Sequence, residues 1–261
     1  MSTIQAIRRN TKILVLNPNS SRDMTHTLEE AIRNMELFQS TEVHTYTAPE
    51  GSPSSINDGE GLDASFRVVV EDLEKTQLLR KYDAVLVACF SAHPLVAWLT
   101  EQSGQFGRLL VTGIFEASIL TAYSLIRPGK KWGIVTTGKY WEQHLLDGCR
   151  KFLGMDGGRS RFAGVETTGL NASDFHEGVD PEVVHQALKD AVARLLGDDQ
   201  VECVIMGCAG MTGLEKIIRS TAAEMFSQRR ADDLFVVDGV RAGVGLLEQM
   251  VRNKQAFQRP P

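Results

Sequence analysis

Cys89 and Cys208 lie 119 residues apart, and each directly follows an apolar run, Ala84-Val85-Leu86-Val87-Ala88 before the first and Cys203-Val204-Ile205-Met206-Gly207 before the second. Two thiols facing each other across a cleft resist double ionisation by like-charge repulsion. Their stable form then carries one thiolate and one thiol and titrates as a unit. The thiolate can take a proton from one face of a carbon acid while the thiol delivers one to the other face, which inverts the stereocentre. The chemistry needs no metal or organic cofactor, provided backbone N–H and hydroxyl donors stabilise the enolate-like oxygen. A cysteine just past a buried strand, at the start of the next helix, is expected to have its pKa lowered by free backbone N–H groups. The other two cysteines, Cys203 inside a strand and Cys149 in a helical stretch, read as core.

What brings the two thiols together is an internal repeat. Displacing the chain by 119 residues lays Lys12-Ile13-Leu14-Val15-Leu16-Asn17 on Lys131-Trp132-Gly133-Ile134-Val135-Thr136. The same displacement lays Asp83–Cys89 on Glu202–Cys208. One apolar match alone would carry little weight, but a shared offset at two places points to two similar halves. Each half then has a cysteine just past the carboxyl end of a strand, where open α/β sheets bind ligands.

The elements that must position them alternate. Strands are expected at Lys12–Leu16, Glu42–Thr47, Ala84–Ala88, Leu109–Val111, Trp132–Thr136, Cys203–Met206 and Leu234–Val237. Most are almost wholly apolar, as strands buried on both faces of a parallel sheet should be. Helical spacing marks Arg22–Phe38, Leu62–Arg80, Lys139–Leu153, Pro181–Leu196, with Asp180 as N-cap, and Arg241–Asn253. Loops are expected at Ala48–Gly61 and Gly154–Arg159, and a frayed tail at Gln255–Pro261. The alternation predicts an α/β fold with mainly parallel sheets.

Composition narrows the function. The 261 residues carry a formal charge of -5, which argues against nucleic acid or an anionic membrane as main partner. Four cysteines without CxxC spacing exclude a disulfide scaffold and a structural zinc site, and no His/Asp/Glu cluster has metal-ligand spacing. No secretory signal or membrane span is evident, so a cytoplasmic, homo-oligomeric protein acting on a small molecule is expected, with no metal and no cofactor. Gly239, Gly243 and Gly245 do not match the dinucleotide fingerprint, and a close approach of the last helix explains them more simply. His93, four residues after Cys89, suggests a Cys–His hydrolase, but Pro94 distorts that geometry and a helix-start histidine is the plainer reading.

Asn17–Ser21 (NPNSS), Ala88–Leu95 (ACFSAHPL), Ile134–Thr137 (IVTT), Met206–Met211 (MGCAGM) and Val236–Val244 (VVDGVRAGV) resemble, in this order, the Asp/Glu/hydantoin racemase superfamily, most of all its hydantoin and allantoin branch. The resemblance implies two pseudo-symmetric α/β subdomains with the active-site cleft between them. Residues 1–113 plus about 228–261 would form the first, with the last strand and helix returning to it, and residues 114–227 the second. It also implies cofactor-independent racemisation with Cys89 and Cys208 as the acid/base pair, and a pocket lined by Asn17, Ser91, Phe115, Thr136, Thr137, Gly210 and Met211. Amino-acid racemases of the superfamily carry Asn-Thr after the first cysteine and Thr after the second. Phe90-Ser91 and Ala209-Gly210 stand there instead, which suits an uncharged cyclic ureide inverted at C5, with allantoin one candidate. The alternatives are a cysteine-dependent isomerase or decarboxylase of the same superfamily, or a non-enzymatic two-lobed small-molecule sensor.

Overall fold

The computed structural model describes residues 10–37, 40–154, 161–175 and 179–258. It contains two four-stranded sheets whose strands all pair in parallel. In the first, β1 (Thr11–Asn17), β2 (Thr41–Thr47), β3 (Ala84–Val87) and β4 (Leu110–Gly113) lie in the order β2-β1-β3-β4. In the second, β5 (Lys131–Thr136), β6 (Phe162–Thr167), β7 (Val201–Met206) and β8 (Phe235–Asp238) lie in the order β6-β5-β7-β8. The two orders are the same, so the sequence repeat is a repeat of topology, and the α/β class with two similar halves holds.

The equivalence reaches single hydrogen bonds. Ala88 N–H donates to the Leu16 carbonyl at 2.8 Å, and Gly207 N–H donates to the Val135 carbonyl at 2.7 Å. Both pairs are related by the 119-residue offset. Each bond holds the segment after a central strand against the neighbouring strand, just before a cysteine.

Helices α1 (Arg22–Arg33), α2 (Gly59–Thr76), α3 (Pro94–Gln102) and α4 (Ile114–Leu125) belong to the first half of the chain. Those of the second half are α5 (Tyr140–Leu153), α6 (Pro181–Leu196), α7 (Glu215–Met225), α8 (Gln228–Asp232) and α9 (Gly239–Phe257). Asp180 caps α6 as expected, its carboxylate accepting from Glu182 N–H at 2.9 Å. Helix α1 stops at Arg33, and α9 runs on to Phe257, past the start of the expected frayed tail. The expected loop at Gly154–Arg159 lies, apart from Gly154, outside the described residues.

The crossover differs from the one anticipated. The last strand does not return to the first subdomain: β8 pairs with β7, from Cys203 opposite Phe235 to Met206 opposite Asp238. Only the helices change sides. Helix α4 leaves β4 and packs on β7 and β8, whereas α9 leaves β8 and packs on β1, β3 and β4. The physical reason is pairing: β8 completes the open edge of β7, while a helix needs only an apolar face to cover. Small residues permit the exchange. A Cβ on Gly243 would lie 2.4 Å from Leu86 Cδ1, and one on Gly239 would lie 3.2 Å from Ile114 Cβ.

One apolar core therefore runs through both halves. Ile13, Val15 and Leu86 join Ile134, Cys203 and Ile205 through Ile114, Phe115 and Ile119 of α4 and Val240, Val244 and Leu247 of α9. The alternate strand residues face separate outer clusters, Leu14, Leu16, Val85 and Val87 in one half and Val135, Val204 and Met206 in the other. Burial on both faces explains why these strands lack polar alternation. Among the described residues no helix is long and apolar enough to cross a membrane.

Candidate active site

Cys89 and Cys208 are both partly exposed, whereas Cys149 and Cys203 are buried, and the latter two sit in the core as their positions suggest. The two exposed thiols are held differently. Cys208 caps the short 3-10 turn Ala209–Met211, and its Sγ accepts from Gly210 N–H at 3.3 Å. Cys89 is not at a helix start. It is followed by a tight segment in which Ser91 N–H bonds the Cys89 carbonyl at 2.9 Å, and α3 begins only at Pro94. Its sulfur meets a side chain instead, the Ser91 hydroxyl at 3.5 Å.

The expected lowering of both pKa values is overturned. Burial pushes the Cys89 thiol up to about 12 and the Cys208 thiol up to about 11. Hydrogen bonds work the other way in each case, from Ser91 at Cys89 and from the Gly210 and Met211 backbone at Cys208. Desolvation outweighs them because a thiolate loses more hydration than a few donors return. Coulombic repulsion from Cys208 and from Glu116 raises Cys89 further, so sulfurs from the two sheets stand within electrostatic reach of each other. One sulfur with backbone donors beside one without them makes the pair unequal, with Cys208 the readier acid.

The other expected pocket residues divide by how their polar atoms are spent. Ser91, fully buried, and Gly210 touch a sulfur directly. Met211 is buried and its N–H bonds the Cys208 carbonyl at 3.1 Å. Thr136 turns its hydroxyl to the Gly207 carbonyl at 2.6 Å, which pins the residue before Cys208 to β5. Thr137 is buried, and its carbonyl accepts from Gly169 N–H at 3.1 Å. Phe115 is 1% exposed and packs edge-on against Phe90 at 5.6 Å, in the core between the halves. Asn17 is fully buried, and its amide is used within its own loop, donating to Asn19 Oδ1 at 2.9 Å, the Ser21 carbonyl and Thr25 Oγ1. The NPNSS motif thus shapes the entry to α1.

His93 is the N-cap of α3. Its Nδ1 accepts from Leu95 N–H at 3.2 Å and its Nε2 lies 3.0 Å from Ser65 Oγ. Burial, aided by His144, pushes the imidazole down to about 3, so it stays neutral. Both nitrogens are occupied away from Cys89, and the hydrolase reading loses its base.

Two contributors escaped the sequence. Thr212, just beyond the Cys208 turn, donates to Asp238 Oδ2 at 2.7 Å, and Asp238 in turn accepts from Arg241 N–H at the start of α9. This ties the Cys208 segment to the helix that crosses back to the first sheet. Asp238 lay in the VVDGVRAGV motif, but its partner is 26 residues away. Glu116, in the first turn of α4, is the other; its spacing from Cys89 has no helical or strand meaning. Among the described residues no group of three or more His, Cys, Asp or Glu could hold a metal ion.

With this geometry in place, the likenesses to known proteins become informative. The model of the family described as Asp/Glu/Hydantoin racemase matches residues 13–247. Protein DCG1 of Saccharomyces cerevisiae is 30% identical over 249 residues, covering 93% of this chain and 97% of that protein. A hydantoin racemase of Paenarthrobacter aurescens is 27% identical over 246 residues, covering 92% of this chain and 91% of its own. The crystal structure of an allantoin racemase from Pseudomonas fluorescens superposes with a TM-score of 0.70 at 26% identity, covering 96% of this chain and 98% of that one.

Proposed function

This chain belongs to the Asp/Glu/hydantoin racemase family and is an isomerase of the racemase type, and from that premise we propose that it inverts C5 of a hydantoin-type cyclic ureide, with Cys89 and Cys208 exchanging the proton. The observation that carries the proposal is that two partly exposed thiols, one from each half, stand within electrostatic reach of each other at positions the repeat makes equivalent.

In this mechanism the ring binds with C5 between the sulfurs. Cys208 acts as first base, because the Gly210 and Met211 backbone N–H groups favour its thiolate, and Cys89 is the opposing acid. The C5–H electrons move into the carbonyl to give an enolate, Cys208 keeps the proton, and Cys89 delivers its own to the opposite face. The sulfurs finish with exchanged roles, ready for the other enantiomer. The acid Glu116 acts on Cys89. A free α-carboxylate would meet repulsion there, whereas an uncharged ring would not. The relatives named as hydantoin and allantoin racemases support the same substrate class.

The test is incubation of each enantiomer of a 5-substituted hydantoin, and of allantoin, with the protein in D2O. Loss of optical rotation with deuterium at C5 is expected for at least one ring. Tight binding with neither inversion nor exchange would overturn the proposal in favour of a small-molecule sensor.

A further inference from the structure

Glu116 is the third residue of α4, and the residue that caps this helix, Gly113, pairs with Val87 of β3, two residues before Cys89. Glu116 and Cys89 therefore hang from the carboxyl ends of adjacent strands. The Glu116 carboxylate folds back over the helix start, where the Gly113 and Glu116 backbone N–H groups stabilise it. A Cβ on residue 113 would lie 2.4 Å from Glu116 Oε2, so the glycine there leaves the space the carboxylate occupies.

A glutamate at this place often closes a capping box, which takes one oxygen and can be formed as well by glutamine. Capping does not account for the other oxygen. Oε2 is buried and has no hydrogen-bond partner among the described residues. Burial pushes the carboxyl up to about 7, and its negative charge raises Cys89. An orphaned buried oxygen within electrostatic reach of the Cys89 thiol is poorly explained by stability, because an unpaired acceptor is costly.

We propose that Glu116 is the proton-holding partner of Cys89, ionised while Cys89 is a thiol and protonated while Cys89 is a thiolate. The inference rests on the racemase proposal for its purpose. The step is a simple proton transfer: the O–H bond of the Glu116 carboxyl breaks, the carboxylate keeps the electron pair, and an S–H bond forms on the Cys89 thiolate. The pair carries one negative charge before and after this transfer. After Cys89 has given its own proton to C5, the Glu116 carboxylate takes one from solvent and passes it to the thiolate, which restores Cys89 as an acid. The other titratable side chain acting on Cys89 is Cys208, from the loop after β7. Of the basic groups on the neighbouring α9, Arg241 faces Glu215 at 3.8 Å and Lys254 donates to the Arg108 carbonyl at 2.6 Å.

The experiment compares the wild-type chain with Glu116→Gln, which keeps the cap and removes the ionisation. Both are alkylated with iodoacetamide across neutral and alkaline pH, without substrate, and Cys89 is resolved from Cys208 by peptide mass spectrometry. The wild-type Cys89 profile should carry an inflection near the Glu116 value of about 7. In E116Q that inflection should vanish, and Cys89 should react faster by about tenfold for each pKa unit relieved. Profiles unchanged within twofold would overturn the proposal and leave a cap alone. Should E116Q fail to fold, infrared titration of the wild-type chain decides. A protonated carboxyl that titrates near neutrality and moves in Cys89→Ala supports the pairing, and its absence refutes it. Because no substrate is present, loss of this coupling would leave racemisation standing. Intact coupling without inversion of any ureide would count against racemisation alone.

Discussion

Replacing Gly207 with alanine should damage activity well beyond its cost in stability. A Cβ there would lie 2.6 Å from Ile134 Cγ2, 2.8 Å from Thr136 Cβ and 2.9 Å from the Val135 carbonyl oxygen, all on β5. To reach ordinary contact, the segment must move by roughly 0.5–1 Å in a core packed too densely to absorb it. Overpacking of this kind costs about 1–3 kcal/mol, or a fall in Tm of about 2–4 °C per kcal/mol for a chain of this size. The movement also strains the Thr136 hydroxyl bond to the Gly207 carbonyl and displaces Cys208, the next residue. A misplacement of about 1 Å at a reacting group costs on the order of 100-fold in rate. The assay pairs thermal unfolding with racemisation measured by polarimetry. Ala88 is the repeat-related residue, and Ala88→Gly adds no bulk, so it serves as the control with a loss of about 0.5–1 kcal/mol and little change in rate. If G207A lowers Tm but races at the wild-type rate, the claim that β5 sets the position of Cys208 is wrong. If neither changes, the close packing itself is refuted.

Four further outcomes follow from the same geometry. With the free thiols raised to about 12 and about 11, the thiolate fraction and hence kcat/KM should climb about tenfold per pH unit through the neutral range, as a pH–rate profile would reveal; a flat profile would contradict the desolvation described. Stability should move the opposite way: the folded chain binds more protons than the unfolded one above a pH of about 8.5, so the stability contributed by the buried thiols is complete below that pH and is lost as pH rises through about 11 to 12, as urea titrations at alkaline pH would show. His93→Asn should keep racemisation within a few-fold because asparagine still caps α3, whereas His93→Ala should lose about 1 kcal/mol in thermal unfolding; abolished activity at wild-type Tm would restore a catalytic role. Asp238→Ala removes the cap of α9 and the Thr212 bond together, and should cost about 1–2 kcal/mol in denaturant unfolding with a raised mobility of the Cys208 segment.

Much of the architecture was legible because its signals are local. Strands β1, β3, β5 and β7 are buried on both faces and read as unbroken apolar runs, and their shared offset exposed the duplication. Strand β6 was missed because it is an edge strand, Phe162–Thr167, with five of its six residues only partly buried and Gly164 within it. Helix α4 was missed for the opposite reason. Covered by the second sheet on one side and α9 on the other, it is apolar nearly all round and shows little helical periodicity. Periodicity says which face of a helix is buried but not against which sheet, so the exchange of α4 and α9 was visible only as an expectation, and one strand too many was assigned to it. At the site, the cysteines were found by their place after the central strands. The sign of their pKa shifts was not, because desolvation is a property of the assembled halves. Asn17 was singled out by its motif, yet only the fold reveals that Asn19, Ser21 and Thr25 consume its amide.

The central claim, that Cys89 and Cys208 serve opposite faces of one carbon, is tested most directly by deuterium exchange at C5 in single variants. Cys89→Ser and Cys208→Ser are each mixed in D2O with pure enantiomers of a racemised ureide, and exchange is followed separately from inversion. The account predicts that neither variant inverts the ring, and that each still exchanges one enantiomer only, the opposite one in each case. Inversion at the wild-type rate by either variant, or exchange of the same enantiomer by both, would contradict it.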